Sequence, residues 1–591
     1  MIRFACLLAL LLAALPAQRL ATDGPHVSPF RAMRAVADGI EVQVDDDTWF
    51  ALDAIAGVDT ATLLRGAERL CGDRAWQRLT EDLPALLAAL GTEVGDRVDL
   101  VLRDRNDGAR IERRAVPMTA EKRTRLREAN RRQRRAAPDR PAADAELALA
   151  DAQADLAVLR ELLDTRFAYR TLRPVDLAGL LRAAEAEFAA GAPLRSRFVQ
   201  AVDRVLRAFG DGHSRVDGAA TEATRFLPFL VQQVDGGAVA FRGDRSAWLD
   251  SDHPFVTALD GVPIARWLEA ARARGTAGSA AMQHREAERG LREIDLLRAD
   301  LGLSLGDHVA VTLRGPGGEV VHEVPLAARR PAYGAWPRTE TRRLDGGIGY
   351  LRLPEMSGDA AFLDGLDAAM RSFRDTNGLV LDVRGNGGGT RDALRRLAPY
   401  LLPAAGAPVV GNVAAVLLTP GDAERTDALA DRGLFPRDWP GWTKAQRAAI
   451  DAFARGFRPS WSPPRGRFSA WHYLVLDRAD NAASFAYGKP VVVLIDRACF
   501  SATDVFAAAL GALPNVRLVG ETTSGGSGRA RPYELPRSGV RLQLSTMASF
   551  RPDGVLFEGN GVVPDVEVAT QPGDLIGSSD AVLERALELL R

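Results

Sequence analysis

Three features of the sequence predict a multidomain α/β protein. From Tyr333 onward, strand-like and helix-like segments alternate; two earlier stretches repeat one another; and between them lie apolar residues at helical spacing. At 591 residues the chain exceeds what one hydrophobic core serves, in keeping with three or four domains. Its 76 basic and 77 acidic residues nearly cancel, so composition gives no reason to expect a nucleic-acid partner.

Residues 1–17 read as a secretory signal: Arg3 supplies charge, Cys6 to Leu15 the apolar run, and Leu15-Pro-Ala17 a cleavage site. The run is too short to span a bilayer, and no later segment is apolar for long enough. The expectation is an exported protein, periplasmic or extracellular, with no integral membrane span. Beyond the leader only Cys71 and Cys499 remain, which makes no disulfide framework.

The repeat pairs Ala54-Ile-Ala-Gly-Val58 with Ala258-Leu-Asp-Gly-Val262, then Leu90-Gly-Thr-Glu-Val-Gly-Asp96 with Leu301-Gly-Leu-Ser-Leu-Gly-Asp307. Each copy runs strand, glycine turn, helix, Gly-Asp turn, hairpin. The pattern resembles the PDZ-like module, whose sheet edge takes an extended peptide as an added strand. It implies PDZ-like α+β units over 25–118 and 220–330, which either bind peptide or serve as packing spacers. Thr119 to Ala137 is dense in Arg and lacks aromatics; with Pro138 and Pro141 following, 119–144 reads as an exposed charged linker. A helical bundle is expected over 145–215, from Leu156, Leu159, Leu163, Phe198, Val202 and Val205. It ends on Phe209-Gly-Asp-Gly-His213-Ser214.

The α/β core is expected over 333–591, with 420–485, rich in Trp, Pro and Arg, as a surface insertion. Gly378 to Val383 is a buried strand that enters Arg384-Gly-Asn-Gly-Gly-Gly-Thr390 ahead of a helix. That glycine run is either an anion cradle or a bare turn, and it lacks the lysine of a P-loop. Val491 to Ile495 is a second buried strand, Asp504 to Leu510 a helix, and Ser501 stands between them. A hydroxyl there is either a helix N-cap or a nucleophile beside free amides.

A nucleophilic serine needs a base. The chain has three lysines: Lys122 in the linker, Lys444 in the insertion, and Lys489 at the far end of the strand that delivers Ser501. Among seven histidines, His213 alone sits in a glycine-flanked turn at a domain boundary, as a surface residue or as a base. No histidine pair has metal-ligand spacing, and no cofactor or metal is expected.

Five ordered motifs now carry a family resemblance: Asp211-Gly-His213-Ser, Leu381-Asp-Val-Arg-Gly-Asn-Gly-Gly-Gly389, Phe500-Ser501-Ala-Thr-Asp504, Val519-Gly-Glu-Thr-Thr523 and Gly561-Val-Val-Pro-Asp-Val566. Together they resemble the S41 peptidases, which include the C-terminal processing proteases and the tricorn core protease. The resemblance implies a crotonase-like (ClpP/crotonase-type) core and a peptide or protein substrate. The processing type takes its base from a lysine in a segment that here reads Gly520-Glu-Thr-Thr-Ser-Gly-Gly-Ser-Gly528, with Gly526 at the lysine position. The tricorn-like type uses serine, histidine and glutamate. By that pattern Ser501 is nucleophile, His213 base and Glu558 the glutamate orienting the histidine network. The Ala502 amide and that of Gly387 or Gly388 form the oxyanion hole. The serine that precedes the histidine in the tricorn pattern is Gly212 here, which leaves Ser214 or Asp211 to replace its hydrogen bond. The alternative is an inactive protein of the same fold that binds a peptide or lipophilic ligand.

Overall fold

The computed structural model describes residues 27–36, 39–71, 75–105, 108–135, 145–188, 191–217, 223–337, 340–418 and 428–591. The leader expected over 1–17 lies outside them. The chain forms two compact units, Met1–Arg140 and Pro141–Arg591.

In the first unit five strands pair in the order Ala32–Val36, Gly39–Gln43, Phe50–Ile55, Arg97–Asp104, Arg110–Pro117, with Val58–Asp59 added on Phe50–Ile55. Alternate residues such as Val42, Leu52, Leu100 and Leu102 face the helices Thr60–Cys71 and Leu83–Ala89 across one core. The stretch expected as a linker departs from that reading. Ala120–Arg135 is a helix of this unit: Leu126 enters the core, and Asn130 donates to Thr80 Oγ1 at 2.7 Å and Glu81 Oε1 at 3.0 Å. Arg123 donates to the Glu81 carbonyl at 2.9 Å. One apolar contact and buried polar anchors at helical spacing hold a segment whose composition is almost wholly charged.

In the second unit the helices Leu149–Arg166, Leu177–Glu187 and Arg195–Ala208 share a core with the hairpin Ala530–Leu535 and Val540–Ser545. Buried Asp155 receives the Ser538 amide at 2.7 Å and the Arg537 amide at 3.1 Å, which pins the hairpin turn to the first of these helices. Arg215–Val216 then joins the hairpin as a third strand.

A second antiparallel sheet follows the same path as that of the first unit. Its strands run Phe229–Val234, Gly237–Arg242, Phe255–Leu259, His308–Gly315, Gly318–Pro325, with Val262–Pro263 added on Phe255–Leu259. The repeated tight turn is shared in detail: Ala56-Gly57 and Asp260-Gly261 all lie at positive φ.

The remaining chain builds a six-stranded sheet in the order Arg342–Leu344, Ile348–Arg352, Gly378–Asp382, Val491–Ile495, Val516–Gly520, Val566–Glu567, parallel after its first pair. The five residues of Val491–Ile495 are all buried because both faces are covered. Val491, Val493 and Ile495 meet the helices Asp392–Leu401 and Ala502–Gly511, while Val492 and Leu494 meet Ala581–Leu590.

The segment 420–485 is not a surface insertion. His472–Leu476 is wholly buried and pairs with Val409–Val416 in a four-stranded sheet, and Leu474 and Leu476 enter the main core. The aromatic residues that suggested a surface excursion pack on each other: the Phe435 and Trp439 rings stack at 3.9 Å, and Trp442 meets both edge-on.

Arg384, where the glycine run leaves its strand, is buried between Asp382 at 2.7 Å and Asp580 at 2.7 Å. It thereby ties Ala581–Leu590 to the base of that loop. Arg384→Met should lower stability by about 3–5 kcal/mol, because it strands the buried Asp382 carboxylate without its cation; denaturant unfolding measures the loss.

Candidate active site

The strand Val491–Ile495 delivers Ser501 to the carboxyl edge of the sheet, just ahead of the helix Ala502–Gly511. Ser501 has φ +61° and ψ −116°, a conformation L-residues rarely adopt and one that concentrates at functional turns. Although Ser501 is in the N-cap position, its side chain makes no capping bond. Its Oγ lies 3.0 Å from His213 Nε2 instead. Helix entry is secured by Asp504, whose Oδ1 accepts from Thr523 Oγ1 at 2.5 Å and the Gly525 amide at 3.1 Å.

His213 follows the last turn of Arg195–Ala208, where Gly210 (φ +66°) reverses the chain, and precedes the strand Arg215–Val216. Pairing of that strand with Val540–Ser545 carries the imidazole across 288 residues of sequence to the serine. Behind it stand two buried carboxyl groups. Asp211 accepts the His213 amide at 3.1 Å and the Ser214 hydroxyl, and Ser214 Oγ accepts the Ser545 amide at 3.1 Å. Glu558 Oε1 accepts the Gly212 amide at 3.2 Å. Acceptor atoms of Asp211, His213 and Glu558 lie within 4.8 Å of one another. Glu558 therefore acts on the backbone of the histidine turn, and Asp211 and Ser214 make bonds where Gly212 offers no side chain.

Burial sets the charge state of this cluster. It drives His213 down to about 4; Asp211 opposes that shift, while Arg432, Arg215 and Arg285 add to it. The imidazole is neutral at pH 7, as a base must be. Burial, then the Asp211 charge, push Glu558 well above the usual carboxyl range, which favours its uncharged form.

The glycine run lies against the serine turn. Asp496 clamps the two together by accepting the Gly385 amide at 2.9 Å and the Ala498 and Cys499 amides at 3.0 and 3.1 Å. Asn386 Oδ1 accepts the Gly388 amide at 2.9 Å and Thr503 Oγ1 at 2.8 Å. Gly388 is thus turned into its own loop and is not a free oxyanion donor. Its role is passage: at φ +105°, a Cβ there would stand 2.7 Å from the Phe500 carbonyl oxygen and 2.8 Å from Ser501 Cβ. The Gly387 amide has no protein acceptor among the described residues. The Ala502 amide, first in its helix, has none within it. Among the described residues these two amides are left without a protein acceptor beside Ser501.

Neither lysine of the second unit reaches the serine. Lys489 binds the Thr376 carbonyl at the amino end of the strand Val491–Ile495, and Lys444 opens the helix Lys444–Gly456. Three contributors escaped sequence reasoning: Asp496, Asn386 and Phe500. The first two hold loops through bonds that no spacing announces. Phe500 was visible only as the neighbour of Ser501.

Peptidase family S41 matches residues 347–568. Over this segment the chain is an S41 peptidase. Its fold is similar to the crystal structure of mature CPAF (19% identity, TM-score 0.53, covering 75% of this chain and 96% of that one). It is similar also to mature CPAF complexed with lactacystin (19%, 0.52, 75% and 98%). No curated protein sequence matches the chain. As an S41 member it is a serine-type peptidase, whose substrates are peptides or proteins.

Burial and Asp211 favour the uncharged form of Glu558, so Glu558→Gln, which keeps an acceptor for the Gly212 amide, should retain activity within about 10-fold. Glu558→Ala leaves that amide without its acceptor and should lose on the order of 100-fold in kcat/KM. Equal losses in the two variants would show that a charged glutamate is required.

Proposed function

We propose that this S41 peptidase is an exported endopeptidase that cleaves unfolded or extended polypeptides through an acyl-enzyme on Ser501, with His213 as base. The observation that carries this reading is the 3.0 Å contact between Ser501 Oγ and His213 Nε2. In the acylation step Nε2 takes the Oγ proton while Oγ bonds to the scissile carbonyl carbon. The carbonyl oxygen becomes an oxyanion, and the Gly387 and Ala502 amides donate to it. The imidazolium then returns its proton to the departing amine as the C–N bond breaks. Water, deprotonated by the same nitrogen, releases the acid product and regenerates Ser501.

Extended substrate fits the second PDZ-like unit. Its strand Phe229–Val234 is a sheet edge and touches the helix Ala280–Gly290, the layout in which a peptide adds as a further strand. The same helix reaches the catalytic turn: Ser279, its N-cap, donates to the Ser524 carbonyl at 2.5 Å. Export follows from the leader reading of 1–17; among the described residues no helix is long and apolar enough to cross a membrane.

Ser501→Ala should abolish both peptide hydrolysis and covalent labelling by a serine-directed phosphonate, with unfolding unchanged; hydrolysis surviving in that variant would refute the assignment. The histidine is active when neutral, so kcat/KM should hold as pH falls through 6.5 and drop only toward about 4. A pH–rate profile with its acid limb at 6.5 or above would mean that the base is not this buried imidazole.

A further inference from the structure

Phe500 stands between the nucleophile and the module that faces substrate, and the acyl-transfer reading gives it no task. Its ring stacks on His213, with centroids 4.6 Å apart and planes at 25°. On the same ring bears the guanidinium of Arg285, 5.1 Å from the centroid, reaching in from the helix Ala280–Gly290. Glycines wall the ring. A Cβ on Gly212 would stand 2.5 Å from Met282 Cε and 2.7 Å from Phe500 Cζ, and one on Gly526 would stand 2.5 Å from Phe500 Cε2. These two glycines are the positions where the chain lacks, respectively, a serine before the histidine and a lysine after Val519-Gly-Glu521. The Phe500 ring crowds both positions, joined at Gly212 by Met282, so neither a serine nor a lysine side chain fits while these groups are in place.

The imidazole has few other restraints. Asp211 and Glu558 hold the amides of His213 and Gly212, which places the backbone, and the Ser501 contact at Nε2 is a single point about which the ring plane can still tilt. The Gly528 amide stands 3.4 Å from Nδ1, beyond the usual hydrogen-bond range, and in the tautomer that leaves Nε2 free to take a proton Nδ1 carries the hydrogen and accepts none. Stacking is therefore the contact that fixes the ring plane.

We propose that Phe500 is the positioning residue for His213: its ring, seated in a slot between Gly212 and Gly526, holds the imidazole against Ser501, and Arg285 braces that ring from the substrate-facing module. The inference builds on the roles given above to Ser501 and His213. Besides Arg285, the charged and titratable groups acting on His213 are Asp211, Arg215 and Arg432, with Glu558 in the same cluster. Tyr169 faces Asp211 and Glu558, and Asp504 faces Arg285.

Loss of the ring frees the imidazole and admits water, so Phe500→Leu should lower kcat about 10- to 100-fold with KM little changed, as expected for a misplaced base. Its acid limb should move up toward the ordinary histidine range as solvation returns. Gly526→Ala should impair the wild type comparably, by pushing the ring off His213, yet change kcat by less than about 2-fold when added to Phe500→Leu, because the clashing Cε2 is gone. Arg285→Met should likewise raise the acid limb, since it removes a cation from the imidazole's surroundings. An unchanged kcat and acid limb in Phe500→Leu, or an equal effect of Gly526→Ala in both backgrounds, would overturn the proposal. Phosphonate labelling in each variant separates the two readings. A slowed but complete reaction at Ser501 means that the nucleophile stands and only positioning was disturbed. No reaction even in the wild type would remove the acyl-enzyme reading itself.

Discussion

Two residues of strand hold the site together. Arg215 and Val216 add to the hairpin strand Val540–Ser545, and this short pairing brings the histidine turn of the helical bundle over the serine turn of the α/β core. So short a pairing is weak by itself. It is supported by the shared core beneath it and by Asp155, which satisfies the hairpin's own turn amides from the side of the bundle. Without that docking, Ser501 would be a strained residue with no partner and His213 a histidine in a surface turn.

Docking also buries the cluster, and burial determines its chemistry. In water a histidine, an aspartate and a glutamate at this spacing would carry charge. Here desolvation favours the neutral imidazole and the uncharged form of Glu558 beside Asp211, which leaves a ring nitrogen able to accept a proton at neutral pH. The backbone provides the complementary positive field: amides of a helix start and of a glycine loop, pinned together by the Asp496 carboxylate. Nucleophile, base and amide donors thus come from three separate chain segments and meet at one carboxyl edge of a parallel sheet, where such sheets commonly place their sites.

Much of this was legible beforehand because it depends on local pattern. Alternating strands and helices, the glycine turn shared at Ala56-Gly57 and Asp260-Gly261, and a serine between a buried strand and a helix all leave marks at short range. The choice between N-cap and nucleophile was not legible, since both place a serine at the same position; the direction of one Oγ decides it. The choice between the Gly387 and Gly388 amides depended on backbone rotation and on Asn386, which captures one of them. The helix Ala120–Arg135 and the strand His472–Leu476 were misread for a common reason. Each is identified by a few inward residues, Leu126 and Asn130 or Leu474 and Leu476, set in a composition that suggests the surface. Phe500 was hidden because its slot is made by glycines, whose meaning lies in the side chains they lack.

The same strand pairing has a consequence in time. The histidine turn is synthesised early and the strand that receives it late: the bond between the Ser545 amide and Ser214 Oγ spans 331 residues. At about 5–20 residues per second, the ribosome takes on the order of tens of seconds to cover that interval. Throughout it the nascent chain carries His213 but has neither the strand it docks on nor Glu558. A cluster closed by so late a partner is complete only when the polypeptide nearly is, so chain order itself delays its assembly.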